Sequence, residues 1–170
     1  PLKFVVLPQP EAPKLTTESF CYTGEPVKLV AEGENILWYT PEGNMIAGCP
    51  YKKECNTYYI EAGTYDVYMT QNVNGCVSDT VANQFLISAL PSPYIVGKSQ
   101  LCANSNEVYV VTKTNESNFI DWTLTGNRVS YDMSNYSTGF VRSIDWIDPG
   151  VDTIFVIEKN KYGCMGKTEM

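Results

Sequence analysis

The stretch Thr64-Tyr65-Asp66-Val67-Tyr68-Met69-Thr70-Gln71-Asn72-Val73-Asn74-Gly75-Cys76 decides the fold of this chain. Its first part alternates apolar and polar side chains, which is the period of a β-strand with one buried face. The Asn-Gly dipeptide that follows is a strong short-range signal for a tight hairpin turn. The stretch therefore predicts a strand that ends in a turn.

Similar runs occur on both sides of this stretch. Residues 27–31, 108–111 and 154–157 are rich in β-branched and aromatic side chains, and Gly, Pro and Asn turn signals separate such runs about every ten residues. A helical pattern with caps is absent from the sequence. This spacing predicts an all-β protein built from antiparallel β-sandwiches.

The chain also repeats itself with a period near 84 residues, which indicates tandem domains rather than one large domain. The recurring marks are Cys21, Trp38 and Cys76 in the first half, Cys102, Trp122 and Cys164 in the second half, and the joints Leu7-Pro8-Gln9-Pro10 and Leu90-Pro91-Ser92-Pro93. Proline fixes φ and lacks the N–H that continues a ladder, so each joint predicts a short, stiff linker.

The period sets the predicted domain boundaries at 8–90 and 91–170. Residues 1–7 match the strand that closes the first domain, so we expect them to be the closing strand of an upstream domain; the alternative is that Lys3–Leu7 is the first strand of the first domain. Only six residues follow Cys164, so we expect the second domain to lack its last strand. Because the chain begins with Pro, we expect it to be a piece of a longer protein.

Composition excludes several classes of function. The net charge is −7 and the pI is about 4.6, so nucleic acid and anionic membrane surfaces are poor partners. The chain has no His, which excludes Ser-His-Asp and Cys-His catalysis and His metal ligands. No apolar run is long enough to span a membrane, so we expect no direct membrane insertion. We predict no catalytic residue, no cofactor and no metal.

The Cys-Trp-Cys order of each half suits two cysteines on early and late strands with a tryptophan buried beside them. We therefore predict the disulfides Cys21–Cys76 and Cys102–Cys164, each stabilising its domain by ~4 kcal/mol because it closes a long loop. Six cysteines allow 15 pairings in principle. By the same argument, Trp38 and Trp122 are predicted core residues.

Cys49 and Cys55 have no counterparts in the second half. We predict a local disulfide between them; the alternative is a metal site, which the neighbouring Lys52 and Lys53 would oppose. An even number of cysteines in small acidic domains is typical of an exported protein in an oxidising compartment.

Other residues leave alternatives open. Trp146 suits either the core or stacking on a sugar. Asp145, Asp148 and Asp152 surround a Pro-Gly turn, where they form either a solvated turn or a calcium site. Five tyrosines in or near predicted loops could form a contact surface: Tyr51, Tyr58, Tyr59, Tyr131 and Tyr136. Two N-glycosylation sequons begin at Asn115 and Asn135.

Two sets of motifs resemble known repeats. Residues 64–78, together with Cys21 and Trp38-Tyr39, resemble the Ig-like repeats of large surface proteins of Bacteroidota. Residues 93–97, 102, 109–111, 121–123, 146 and 160–164 resemble the PKD-like repeats often found beside them. The resemblance covers about residues 8–170. It implies two tandem Ig-like/PKD-like β-sandwich domains.

The resemblance also implies a location and a role. Such repeats occur in adhesins, gliding-motility proteins and other cargo of the type IX secretion system, so we expect an extracellular or cell-surface, non-catalytic spacer or adhesion module. Its partners would be a protein or glycan ligand and neighbouring Ig-like domains. The alternatives are a carbohydrate-binding module and an accessory subunit of a secretion or motility assembly. O-glycosylation of Asp-Ser/Thr-apolar triplets in this phylum makes Thr80 and Thr153 candidate acceptors.

Overall fold

The computed structural model describes residues 2–126, 129–132 and 139–170. All regular secondary structure in this part of the chain is β-strand, so the predicted all-β fold class is confirmed. The chain divides into two compact units, unit 1 (Pro1–Ala89) and unit 2 (Leu90–Met170).

Unit 1 is a sandwich of two sheets. Its strands are β1 (Lys14–Leu15), β2 (Ser19–Cys21), β3 (Lys28–Glu32), β4 (Ile36–Tyr39), β5 (Glu54–Asn56), β6 (Gly63–Val73), β7 (Cys76–Val77) and β8 (Val81–Ser88). One sheet has the order β1-β3-β5 and the other has the order β2-β8-β6-β4, with β7 paired to β6. Neighbouring strands run antiparallel except β2 and β8, which are parallel. The order and the parallel pair are those of an Ig-like sandwich.

The core of unit 1 follows from the alternation that the sequence shows. In β6 the side chains of Val67 and Met69 face inward and are fully buried, as are Leu29 on β3 and Trp38 on β4. These residues come from both sheets and form one apolar cluster. The burial of such side chains stabilises each by about 1.5–3 kcal/mol.

In its described residues, unit 2 is also a sandwich of two sheets, with different edge strands. Its strands are β9 (Tyr94–Val96), β10 (Ser105–Thr112), β11 (Phe119–Leu124), β12 (Val129–Asp132), β13 (Val141–Trp146), β14 (Ile154–Lys159) and β15 (Met165–Glu169). One sheet has the order β12-β13-β10-β9 and the other β11-β14-β15. The buried residues between them are Ile95, Tyr109, Val111, Ile144, Ile154 and Val156.

The two predicted core tryptophans differ in burial. Trp38 is fully buried. Trp122 is half-buried and packs against the edge of the unit 2 core, where its Nε1–H donates to the Gly139 carbonyl at 2.7 Å. The repeated tryptophan is therefore buried to different extents in the two units.

The expectation that unit 2 lacks its last strand is wrong. β15 begins directly after Cys164 and pairs with β14 along its length. In unit 1, Cys76 is the first residue of the short strand β7, and a loop follows before β8. The numbers of residues that follow Cys76 and Cys164 are therefore not comparable. More residues follow Cys76 because its connection to β8 is longer, not because unit 1 has one more closing strand.

The segment Lys3–Leu7 is not the first strand of unit 1, because residues 2–13 contain no strand. Its apolar side chains face solvent: Leu2, Phe4, Val5 and Val6 are 83–92% exposed. Its assignment as the closing strand of an upstream domain stays a prediction.

The two predicted long disulfides are absent, because Cys76 and Cys102 are free thiols. Cys21 lies level with Ser88, near the end of β6 that begins at Gly63, whereas Cys76 faces Val73 at the other end. At ~3.3 Å per residue the ends of this 11-residue strand are ~33 Å apart, and disulfides need a Cα–Cα distance below ~7 Å.

The two cysteines of unit 2 are not bonded to each other either. Cys164 directly precedes the first residue of β15, whereas Cys102 lines a cavity of unit 2, as does Met170 beyond the last residue of that strand. Cys21 and Cys164 are each disulfide-bonded. The free thiols of Cys76 and Cys102 thus contradict the pairings Cys21–Cys76 and Cys102–Cys164.

Candidate functional site

The first candidate site is the cysteine loop of unit 1, residues 49–55. Cys49 and Cys55 form a disulfide with a Cα–Cα distance of 5.0 Å, and both belong to the apolar cluster that contains Trp38. A disulfide thus packs in the tryptophan-containing core of unit 1, although it joins neighbouring residues rather than the two sheets. The local pairing is the one that the sequence predicts.

Three hydrogen bonds fasten the backbone of the cysteine loop. The Trp38 Nε1–H donates to the Lys52 carbonyl at 2.8 Å, and the Lys52 ammonium donates to the Gly48 carbonyl at 2.8 Å. The Ala31 N–H donates to the Lys53 carbonyl at 2.9 Å. Together with the disulfide, these bonds hold the loop to β3 and β4.

The tip of the cysteine loop presents Tyr51. Its side chain is 65% exposed, and its φ of 61° lies in the left-handed region that β-carbon sterics disfavour. Lys53 next to it is exposed. The loop therefore holds an aromatic ring and a positive charge in a fixed position on a protein whose net charge is −7.

The structure does not support a metal site at the cysteine loop. Among the described residues no group of three or more His, Cys, Asp or Glu side chains converges. The calcium alternative at the Pro-Gly turn meets the same result: Asp145 accepts a hydrogen bond from Asn106 at 2.6 Å, and Asp148 and Asp152 lie on the wall of a cavity.

That cavity, the unit 2 cavity, is the second candidate site. It has a volume of about 370 Å³ and lies between the segment 98–103, the turn 148–152 and the end of β15. Its apolar lining consists of Leu101, Tyr109, Trp146, Ile154 and Met170. The Trp146 ring packs edge-on against the Tyr109 ring, with ring centroids 6.2 Å apart. Trp146 therefore lies at the edge of the core and also lines the cavity.

The three candidate tyrosines of unit 1 differ in exposure. Tyr51 and Tyr58 are exposed, whereas Tyr59 packs on Tyr65 with ring centroids 4.1 Å apart. Burial is the largest cause that raises the pKa of Tyr59, which fits a core position. Tyr136 lies outside the described residues, and Tyr131 is a residue of β12.

The candidate modification sites differ in access. Thr80 is exposed in the loop before β8, whereas Thr153 is half-buried and its N–H donates to the Thr125 hydroxyl at 3.0 Å. Asn115 lies in an exposed turn, and Asn135 lies outside the described residues. Glycosylation at these positions stays a prediction.

Sequence reasoning missed Glu158, a fully buried carboxylate on β14. It accepts hydrogen bonds from the Thr114 N–H and hydroxyl, the Asn115 N–H and the Asn118 amide. Burial alone raises the pKa of Glu158, but these donors outweigh it and lower the pKa below its ordinary value of 4.5. Its inward-facing place in the alternating pattern of β14 is the signal that could have found it.

Comparisons with known proteins return structural similarity only. No family model matches the chain, and no curated protein matches it. Among solved structures, the fibronectin(III)-like modules of Clostridium thermocellum CbhA are 13% identical with a TM-score of 0.46, covering 92% of this chain and 90% of theirs. A structure of the mouse coronavirus receptor-binding domain with its murine receptor is 11% identical with a TM-score of 0.45, covering 93% of this chain and 97% of that one.

A structure of Sidekick-1 immunoglobulin domains 1–5 is 12% identical with a TM-score of 0.41, covering 94% of this chain and 38% of that one. The assignment of each unit as an Ig-like β-sandwich rests on its own strand order and pairing. No helix of the described residues has the length and apolar character that crossing a membrane requires.

Proposed function

We propose that the chain is a non-catalytic Ig-like segment of a cell-surface protein, and that it binds a protein or glycan partner through the cysteine loop. The resemblance of its motifs to Bacteroidota surface repeats supports an exported adhesion protein of the type IX secretion class. An oxidising compartment is consistent with the buried Cys49–Cys55 disulfide.

One observation carries the binding proposal: Tyr51 is exposed while the backbone beneath it is locked. Exposed aromatic side chains in fixed positions bind with a small loss of conformational entropy, and tyrosine is enriched among residues that dominate binding energy. Left-handed backbone at a non-Gly residue costs stability, and such strain is concentrated at functional sites. Lys53 would favour acidic partners such as sialylated glycans or acidic peptides.

The experiment probes the purified protein against a glycan array and a panel of immobilised mucin and extracellular-matrix proteins. We expect Tyr51→Ala and Lys53→Ala to weaken binding by about tenfold or more. Tyr94→Ala is the matched control, because Tyr94 is also 65% exposed but lies in unit 2.

Binding that Tyr51→Ala leaves unchanged would contradict the assignment of the site to the cysteine loop. Binding to no probe at all would favour a pure spacer. Saccharide binding that depends on Trp146 rather than Tyr51 would favour the carbohydrate-binding alternative and move the site to the unit 2 cavity.

A further inference from the structure

The last strands of the two units differ at their outer edges. In unit 1, β2 covers the edge of β8: the Tyr22 N–H donates to the Ser88 carbonyl at 2.9 Å, and the Leu86 N–H donates to the Glu18 carbonyl at 2.8 Å. In unit 2, β15 is the last strand of its sheet. The backbone of Pro91, just before β9, lies against Gly166 near the start of β15, but among the described residues no strand pairs with its outer side.

The pairing of β15 with β14 shows which groups are open. Ile154 and Met170 exchange both backbone hydrogen bonds. Backbone groups of an antiparallel strand alternate in direction, so Lys167 and Glu169 point their N–H and C=O groups away from β14. These groups form an unpaired edge, and such an edge can hydrogen-bond an added strand.

The unit 2 cavity adjoins this edge at Met170. In unit 1 the covering strand carries Phe20, whose ring packs edge-on against Phe85 of β8 at 6.2 Å. In unit 2 the segment 98–103 follows β9 without forming a strand, and it lines the cavity instead. An open sheet edge and an apolar cavity thus occur together where unit 1 has a strand and a phenylalanine.

The chain also contains a segment with the complementary properties. Leu2–Leu7 has five apolar side chains, all exposed, and no strand partner in unit 1. The residues that follow it are anchored, because Gln9 donates to the Asp79 carboxylate at 2.9 Å and Gln71 donates to the Glu11 carbonyl at 2.5 Å. Alternation places Leu2, Phe4 and Val6 on one face of an extended strand.

We propose that the open edge of β15 and the unit 2 cavity form an acceptor site for an added β-strand, and that its occupant is Leu2–Leu7 of a second copy of this chain. The added strand runs parallel to β15, as β2 runs parallel to β8. Its backbone bonds Lys167 and Glu169, and Phe4 enters the cavity. Backbone hydrogen bonds provide the affinity and the side-chain pocket provides the register, as in other cases of strand addition.

The test measures self-association of the purified chain by analytical ultracentrifugation over a concentration series. We expect a dimer or larger assembly that deletion of residues 2–7 removes. Lys167→Pro removes one outward N–H without removing a β14–β15 hydrogen bond, so it should weaken association by about tenfold or more. Lys167→Ala keeps that N–H and is the matched control, and circular dichroism checks that both variants keep the strand content.

A second measurement supplies the strand in trans. A fluorescent peptide with the sequence of residues 1–7 should bind the protein that lacks residues 2–7, and a peptide with Phe4→Asp should bind about tenfold more weakly. A chain that stays monomeric and a peptide that does not bind would together overturn the proposal. Association that survives the deletion, or peptide binding that Lys167→Pro leaves unchanged, would also overturn it.

Discussion

Unit 1 and unit 2 share the order of their central strands, but they differ in their edge strands and in the chemistry of their interiors. Unit 1 is centred on Trp38, a disulfide and packed aromatic rings, whereas unit 2 buries the carboxylate of Glu158 and keeps a cavity beside its last strand. Their last hairpins share one backbone feature: Gly75 and Gly163 both have φ 86° before the equivalent cysteines, although Asn74 has a φ of 52° and Tyr162 is not in the left-handed region. The glycine of the turn is thus repeated, whereas core packing tolerates different solutions within similar sandwiches.

The largest expected difference between the units lies at the repeated tryptophans. Trp38→Ala should destabilise unit 1 by about 3–5 kcal/mol, because it empties a fully buried site and orphans the Lys52 carbonyl. Trp122→Ala should cost unit 2 less, because that side chain is half-buried. Denaturant unfolding followed separately for each unit measures both values. Equal losses would remove this contrast between the two cores.

Acid should distinguish the units next. The pKa of Glu158 is lower in the folded state than its ordinary value of 4.5, so its contribution is complete above that value and is lost as the pH falls through the lowered pKa. Glu158→Gln should cost unit 2 about 2 kcal/mol at neutral pH, since it replaces an acceptor of several hydrogen bonds.

The measurement is the stability difference between wild type and Glu158→Gln across pH 2–7, which should shrink on the acid side. Asp121→Asn is the control, because Asp121 is an exposed carboxylate on the neighbouring strand β11. A difference that stays constant across this range would show that Glu158 does not ionise as the structure implies.

The cysteine loop gives a smaller expected effect, confined to unit 1. Replacing Cys49 and Cys55 together by Ala should cost about 2 kcal/mol, because the disulfide closes a short loop. The loss should appear in the unfolding transition of unit 1 and leave that of unit 2 in place. It should also weaken ligand binding through Tyr51 if the loop is the binding site. An unchanged melting temperature would mean that the hydrogen bonds alone hold the loop.

The smallest expected effect tests the correction to the disulfides. Cys76→Ser and Cys102→Ser should each change stability by less than about 0.5 kcal/mol, because neither thiol is bonded and neither is buried. The pairing expected from the sequence would instead cost ~4 kcal/mol per bridge. Alkylation of the native protein should label both residues, with Cys102 reacting faster. If either thiol were protected from alkylation, the long disulfides expected from the sequence would be favoured again.

The sequence was sufficient for the strands and insufficient for their relative register. Alternation located β6, and Asn74-Gly75 located its hairpin, because both signals depend on local backbone preferences. The disulfide prediction failed because it depends on which strand carries Cys21 and at which end of the sheet. Cys21 lies on the edge strand β2, whereas the central strands β3 and β6 carry the apolar residues Leu29 and Val67 in the core.

The candidate sites show the same division. The local Cys49–Cys55 pair follows from spacing, whereas the fastening of the cysteine loop by Trp38 depends on contacts between residues 14 positions apart. The unit 2 cavity arises because the segment 98–103 forms no strand, although it follows β9 as β2 follows β1. Nothing in the composition of that segment marks the missing pairing.

The parallel pair of β2 and β8 has a mechanical consequence. When the two ends of unit 1 are pulled apart, these strands slide along each other, so their hydrogen bonds carry the load together rather than one at a time. The described part of unit 2 has no such pair between its first and last strands. In single-molecule stretching, unit 2 should therefore yield at the lower force, and unit 1 should unfold last.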